Sequence, residues 1–157
     1  MTVTRRVSSD APWEQIVGYS RAVAAGDYIF VTGSTSVSHG EIVHEGNAGA
    51  QLTQAIANVE TALVKLGAAL TDVVRTRLFV TDITRWPEIG EAHKAAFGDV
   101  MPATTMVQVA ALIDPRLLVE IEAVAYKPGA GTVTAMAGET DSGADNRPAA
   151  APGLGWP

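Results

Sequence analysis

Few side chains in this sequence are equipped for chemistry. There is no cysteine, which excludes thiolate nucleophiles, disulfides and Cys-ligated metals. The 3 histidines are scattered, with His39 and His44 in a loop-like stretch and His93 in a helical one. A zinc site needs three or four convergent ligands, and the sequence offers no such set. Neither GxGxxG nor a P-loop occurs, and no Ser-His-Asp arrangement stands out. What remains is Tyr19 and Arg21 in "GYSRAV", Thr32 in "IFVTG", Thr104 and Thr105 in "MPATTMVQVAAL", and Glu120 and Glu122 in "VEIEAVAY". A tyrosine hydrogen-bonds a substrate oxygen or stacks on a planar ligand. A guanidinium pairs bidentately with a carboxylate. Paired threonines exchange hydrogen bonds but cannot neutralise a charge. Each residue also has a structural reading: a satisfied hairpin tyrosine, an interface ion pair, strand-forming threonines, or solvated strand acids.

The hydropathy pattern indicates how these residues are carried. "IVGYSRAV" (16–23) alternates as a strand does, "AAGD" supplies a turn, and "DYIFVTG" (27–33) is β-branched and aromatic, so the two read as a β-hairpin. Tyr19 and Arg21, two apart on an extended strand, should then project to one side. "EIVHEG" (41–46) reads as a short strand or loop edge. Leu52, Ala55, Ile56, Val59, Leu63 and Leu66 fall on one helical face, and Gly67 stops that helix. "DVVRTRLFVTD" (72–82) is the next strand, with Val74, Thr76, Leu78 and Val80 on one face and Arg75, Arg77 and Phe79 on the other. A second helix follows, capped by Thr84 and ended by Gly98, with Trp86, Ile89, Ala92, Ala96 and Phe97 as its apolar stripe.

Two further strands, 104–112 and 116–126, complete the order β-β-α-β-α-β-β. The expected fold class is α+β, a single sheet with two helices on one face. In the last strand Val119, Ile121, Ala123 and Ala125 should face the helices, leaving Leu118, Glu120, Glu122 and Val124 on the other side. That second face is half apolar and half acidic. It suits a subunit interface better than open water, so a homo-oligomer is expected.

Bulk properties narrow the partners. A net charge of −6 argues against DNA, RNA or an anionic membrane, because phosphate binding needs a basic surface. No apolar run approaches the roughly 20 residues that span a bilayer, and the N-terminus does not read as a signal peptide. A cytoplasmic location is the plain expectation. Composition shifts near Lys127: residues 1–127 form the expected domain, and 128–157, rich in Gly, Ala and Pro, the expected flexible tail. Trp156 stands alone near its end.

The segments "GYSRAVAAGDYIFVTGSTS", "QAIANVETALVKLGA", "DVVRTRLFVTDI", "FGDVMPATTMVQVAAL" and "VEIEAVAY" resemble, in order and spacing over about residues 14–127, the reactive intermediate deaminase (Rid, YjgF-like) family. The resemblance implies a chorismate-mutase-like fold and a homotrimer. Its ligand clefts would lie between subunits, and the outer sheet faces would form a central barrel. It implies hydrolysis of an enamine or imine to a keto product and ammonia, without cofactor or metal. Family members hold the substrate carboxylate with an arginine at the start of the fourth main strand, and that position is Thr104 here. The family's site tyrosine matches Tyr19, its serine becomes Thr32, and its water-handling acid matches Glu120. A helix asparagine becomes Gly90, and a common cysteine becomes Met106.

Imine hydrolysis needs a base for water and an acid for the departing amine, and one carboxylate in a partly dry cleft serves both. The expected catalytic residues are therefore Glu120 and Tyr19, with Arg21, Thr32, Thr104 and Thr105 binding substrate. Arg21 is expected either to replace the missing arginine from another wall of the cleft or to form an interface ion pair. The expected function is a small-molecule deaminase with altered specificity. The alternative is a non-catalytic trimer that binds a small metabolite in the same cleft.

Overall fold

The computed structural model describes residues 4–132. Its strands are β1 (Arg5–Val7), β2 (Ala22–Ala25), β3 (Tyr28–Ser34), β4 (Val37–Ser38), β5 (Glu41–Ile42), β6 (Val73–Val80), β7 (Ala103–Gln108) and β8 (Val119–Tyr126). Its helices are α1 (Pro12–Val17), α2 (Ala48–Lys65) and α3 (Trp86–Phe97). Six strands make one sheet in the order β1-β2-β3-β8-β6-β7, and β4 and β5 form a separate small ribbon. β6 and β7 run parallel, as a pair joined by a helical crossover must; the other pairings are antiparallel. α2 packs on β3 and β8, and α3 packs beside α2. The expected α+β architecture is thus observed.

The β2–β3 hairpin closes through Gly26 and Asp27, and Gly26 takes φ 60°. A positive φ at the first central residue suits a two-residue hairpin turn, and glycine adopts it without a Cβ clash. Asn47 caps α2 by accepting a 2.9 Å hydrogen bond from the Ala50 amide. The core lies between sheet and helices. Leu52, Ile56, Val59 and Leu63 of α2 meet Ile29, Val31, Leu78, Val80, Val119 and Ile121 of the sheet, all buried.

Several expectations need correction. Of the expected strand 16–23, residues 16–21 are not strand. α1 covers "PWEQIV", with a proline in its first turn and Gly18 closing it at φ 80°. At 6 residues it is too short to show a helical period. β1 pairs with β2 at the sheet edge, and only 3 residues carry it. Thr84 does not cap α3: it lies in a 3-10 turn (Ile83–Arg85) that leads into the helix and is capped by Asp82, whose carboxylate accepts from the Thr84 amide at 2.9 Å and from its hydroxyl. α3 itself starts after Arg85 with no side-chain cap. Trp86 is 61% exposed and drops out of the α3 stripe, which is made by buried Ile89 and Phe97 with Ala92 and Ala96 partly buried against the core. A β-bulge between Val73 and Arg75 turns Val74 outward and Val73 inward. At the other end, the packed unit runs past 127. Gly129 donates to Asp27, Gly131 donates to Gly26, and Ala130 is buried and accepts from Arg5. The remainder of the expected tail, including Trp156, lies outside the described residues.

Gln51 of α2, fully buried, fixes where β8 begins. Its amide nitrogen donates to Arg116 O at 2.9 Å, and its oxygen accepts from Leu118 N at 2.8 Å. Nothing in the hydropathy pattern marks this residue. Gln51→Leu keeps the volume and strands two backbone groups, so it should destabilise the fold by about 1–3 kcal/mol. Urea unfolding of both proteins measures the loss.

Candidate functional site

β8 carries the central acid. Its residues alternate as expected, with Val119, Ile121, Ala123 and Ala125 buried against the helices and Glu120 and Glu122 on the opposite face. Opposite β8, the β3 register slips between Val31 and Ser34, a bulge of one extra residue. Gly33 lies in that bulge, and Glu120 rests on it: a Cβ at Gly33 would lie 1.8 Å from Glu120 Oε1. Only a residue without a side chain lets the carboxyl occupy this position. Burial pushes the Glu120 carboxyl above its ordinary range, the Glu122 charge adds to this, and Arg21 opposes it. The result is a carboxyl that takes up and releases a proton closer to neutrality than a solvated glutamate.

Arg21 and Tyr19 converge beside it. Tyr19 sits in the loop after α1, not on a strand, and its amide bonds to Glu14 O. The two side chains still meet. Arg21 Nη2 donates to the Tyr19 hydroxyl at 3.3 Å, and the guanidinium lies 5.6 Å from the ring centre. Arg21 Nη1 donates to Gly33 O at 2.8 Å and to Ser34 Oγ at 3.4 Å. Its Nε stands 3.8 Å from Glu14 Oε1. Glu14 is buried, which alone would raise its pKa. Hydrogen bonds from Ser8 and Ser9 and the charge of Arg21 outweigh that effect and hold the carboxyl below its ordinary value. A guanidinium has five N–H donors, and a bidentate clamp needs two of them pointing at the ligand. Arg21 spends most of its donors inside the protein and has its charge balanced by Glu14, so it ties Tyr19 and Gly33 into one frame. Thr32 is committed likewise, its hydroxyl donating to Ser20 O at 2.7 Å.

The threonines fall elsewhere. Thr104 pairs with Thr76, whose side chain is buried on the helix side of the sheet, and their hydroxyls are 2.8 Å apart. Glu120 projects from the other side. Within this chain, therefore, Thr104 and Glu120 do not line one cavity. Thr105, paired with Arg77, faces the same side as Glu120 but lies on the edge strand, two strands away from β8. A hollow of about 260 Å³ on that face includes Thr32, Arg75, Arg77 and Glu122 in its lining, but not Tyr19, Glu120 or Thr105. Arg77 pairs with Glu122 at 3.2 Å, as alternating strand charges suggest. Among the described residues no group of three or more His, Cys, Asp or Glu side chains is placed to hold a metal, and no helix is long and apolar enough to cross a membrane. Gly33, Glu14 and Ser34 were not legible as site residues. The only signal available was "VTGS" itself, a glycine interrupting a strand pattern, which marks a bulge or a close approach.

A single sheet backed by two helices, with an acid from one strand resting on the glycine of the next, defines a class of small α+β proteins. Within that class the chain belongs to the YjgF/Rid family: the family model described as endoribonuclease L-PSP matches residues 9–127. Its fold is similar to the crystal structure of Rv2704 from Mycobacterium tuberculosis, a member of the YjgF/YER057c/UK114 family. The TM-score is 0.72 at 50% identity, over 78% of this chain and 98% of that one. It is also similar to the human 2-iminobutanoate/2-iminopropanoate deaminase, 34% identical over 130 residues, 80% of this chain and 93% of that protein. The 3-aminoacrylate deaminase RutC of Acinetobacter baylyi is 30% identical over 109 residues, 69% of this chain and 86% of that protein.

Proposed function

We propose that this protein is a deaminase of a small reactive enamine or imine, with Glu120 as its acid–base group. The observation that carries this reading is the Glu120 carboxyl, half-buried near Glu122 and resting on Gly33. Ionised, it orients and deprotonates a water that adds to the imine carbon. Protonated, it passes that proton to the nitrogen of the tetrahedral adduct formed from the protonated imine; ionised again, it takes the adduct's hydroxyl proton as the C–N bond breaks to give carbonyl and ammonia. Tyr19, held by Arg21, donates its hydroxyl proton to the ligand. The two deaminases described above are named for substrates that carry a carboxylate. By the family resemblance Thr104 stands at the place of the carboxylate-holding arginine, and Arg21 has most of its donors committed, so the preferred substrate is one without a carboxylate at that wall. We further propose a homotrimer, because Thr104 and Glu120 lie on opposite faces of one sheet and only a neighbouring subunit brings such walls together. The ribonuclease wording of the family model finds no support in the charge, 17 acidic against 11 basic residues.

The test is ammonia release from freshly generated 2-aminoacrylate, from a branched 2-imino acid and from a neutral enamine, each against buffer alone. The expected result is acceleration, largest for the neutral enamine. No acceleration with any of the three leaves the metabolite-binding trimer as the better reading.

A further inference from the structure

A second polar constellation lies on the helix side of the sheet, where α3 meets the edge strand. His93 Nε2 is 2.9 Å from Thr76 Oγ1, which is 2.8 Å from Thr104 Oγ1, which is 3.0 Å from Pro102 O. Proton counting fixes the direction of this chain. A carbonyl oxygen only accepts, so the Thr104 hydroxyl proton goes to Pro102 O. Thr76 must then donate to Thr104. Its own proton is spent, so Nε2 of His93 must be the donor to Thr76. The imidazole packs against Phe97 in a tilted contact, with ring centres 4.8 Å apart, and burial lowers its pKa, favouring the neutral ring. Neutral, it carries its one proton on Nε2.

The outward consequence lies at Thr104, which is exposed. Its oxygen has accepted from Thr76 and donated to Pro102, so it offers the outside only a lone pair. The adjacent Pro102 carbonyl offers another. We infer that His93, acting through Thr76, locks Thr104 and Pro102 into an acceptor-only wall that selects ligands bearing N–H donors, such as a carboxamide or an amine, and rejects a carboxylate. His93 is a positioning residue in this scheme. The inference rests on the proposed reading only in taking Thr104 as a cleft wall.

Binding and tautomer measurements test it without turnover, so a failed deaminase assay leaves the test intact. The probes are pyruvamide and pyruvate, equal in size and differing in the donor group. Titrations follow the backbone amides of Thr104 and Thr105 by nitrogen-15 NMR of the full chain. Pyruvamide should bind at least tenfold more tightly than pyruvate, and Thr104→Val should bring the ratio close to one. Long-range nitrogen-15 spectra should show His93 as the Nε2–H tautomer, and Thr76→Val should erase that preference. An Nδ1–H tautomer in the wild type overturns the relay. Equal or tighter binding of pyruvate, or no binding of either probe, overturns the ligand class. Thr104→Ser, which keeps the hydroxyl, should retain the wild-type ratio, and a ratio near one in that variant counts against the wall.

Discussion

Glu120→Gln should lower kcat/KM for enamine or imine hydrolysis by about a hundredfold or more, the usual contribution of a general acid–base group, while raising the melting temperature at neutral pH. The two effects have one origin. The folded state holds the Glu120 proton more tightly than the unfolded chain, because burial and the Glu122 charge disfavour the carboxylate. Between the unfolded pKa and the higher folded one, the native state binds more protons, so stability falls as pH rises through that window. Above it the wild type keeps an unfavourable charge that glutamine does not carry. The stability difference should accordingly shrink as pH is lowered toward the ordinary glutamate range. Activity should show the complementary limb, falling on acidification with an apparent pKa above that range as the base becomes protonated. That limb should be missing from what activity Glu120→Gln retains. Parallel pH series of rate and thermal melting measure both. A variant that is equally active, or one less stable than wild type at neutral pH, would contradict the assignment.

The parts of the molecule readable in advance are those set by periodicity. β8 and α2 each present one long apolar face, and the residues the pattern picks out on them are buried, although α2 also buries Gln51, Ala48 and Ala62, which the pattern does not mark. β6 follows its pattern from Thr76 onward and departs from it only at the Val73–Arg75 bulge, a backbone irregularity that side-chain types do not encode. α1 and β1 were invisible because a 6-residue helix and a 3-residue strand are shorter than the period that would reveal them. For the candidate site the split is chemical. Tyr19, Arg21 and Glu120 stand out by type; the first two meet, but through the loop between α1 and β2 and not through the strand spacing expected of them, since neither lies in a strand. Glu14 reaches Arg21 only because Ser8 and Ser9 wrap its carboxylate, a tertiary arrangement with no sequence period. The orientation of Thr104 also depended on sheet pairing. Only the Thr76–Thr104 register places it on the helix face, away from Glu120.

Gly33→Ala should leave the protein folded and nearly as stable while reducing turnover about as much as moving a reacting group by an ångström, which is on the order of a hundredfold. Gly33 is not in the positive-φ region, so alanine fits the backbone without strain. The new methyl would collide with the far end of one side chain: Oε1 of Glu120 at 1.8 Å and its carboxyl carbon at 2.8 Å. Rotating Glu120 toward solvent relieves the overlap at little cost to packing. The rotation removes the carboxyl from its half-buried position, so its pKa should fall back toward the ordinary glutamate value and the acid limb of the rate profile should move to lower pH. Circular dichroism and thermal melting establish the intact fold, and the pH–rate profile reads the displacement. If Glu120 instead serves only to fill the bulge, Gly33→Ala changes neither rate nor profile. A simultaneous loss of rate and downward shift of the limb ties the chemistry to the carboxyl's place over a residue without a side chain, since substitution at Gly33 alters that placement and leaves the acid itself in the chain.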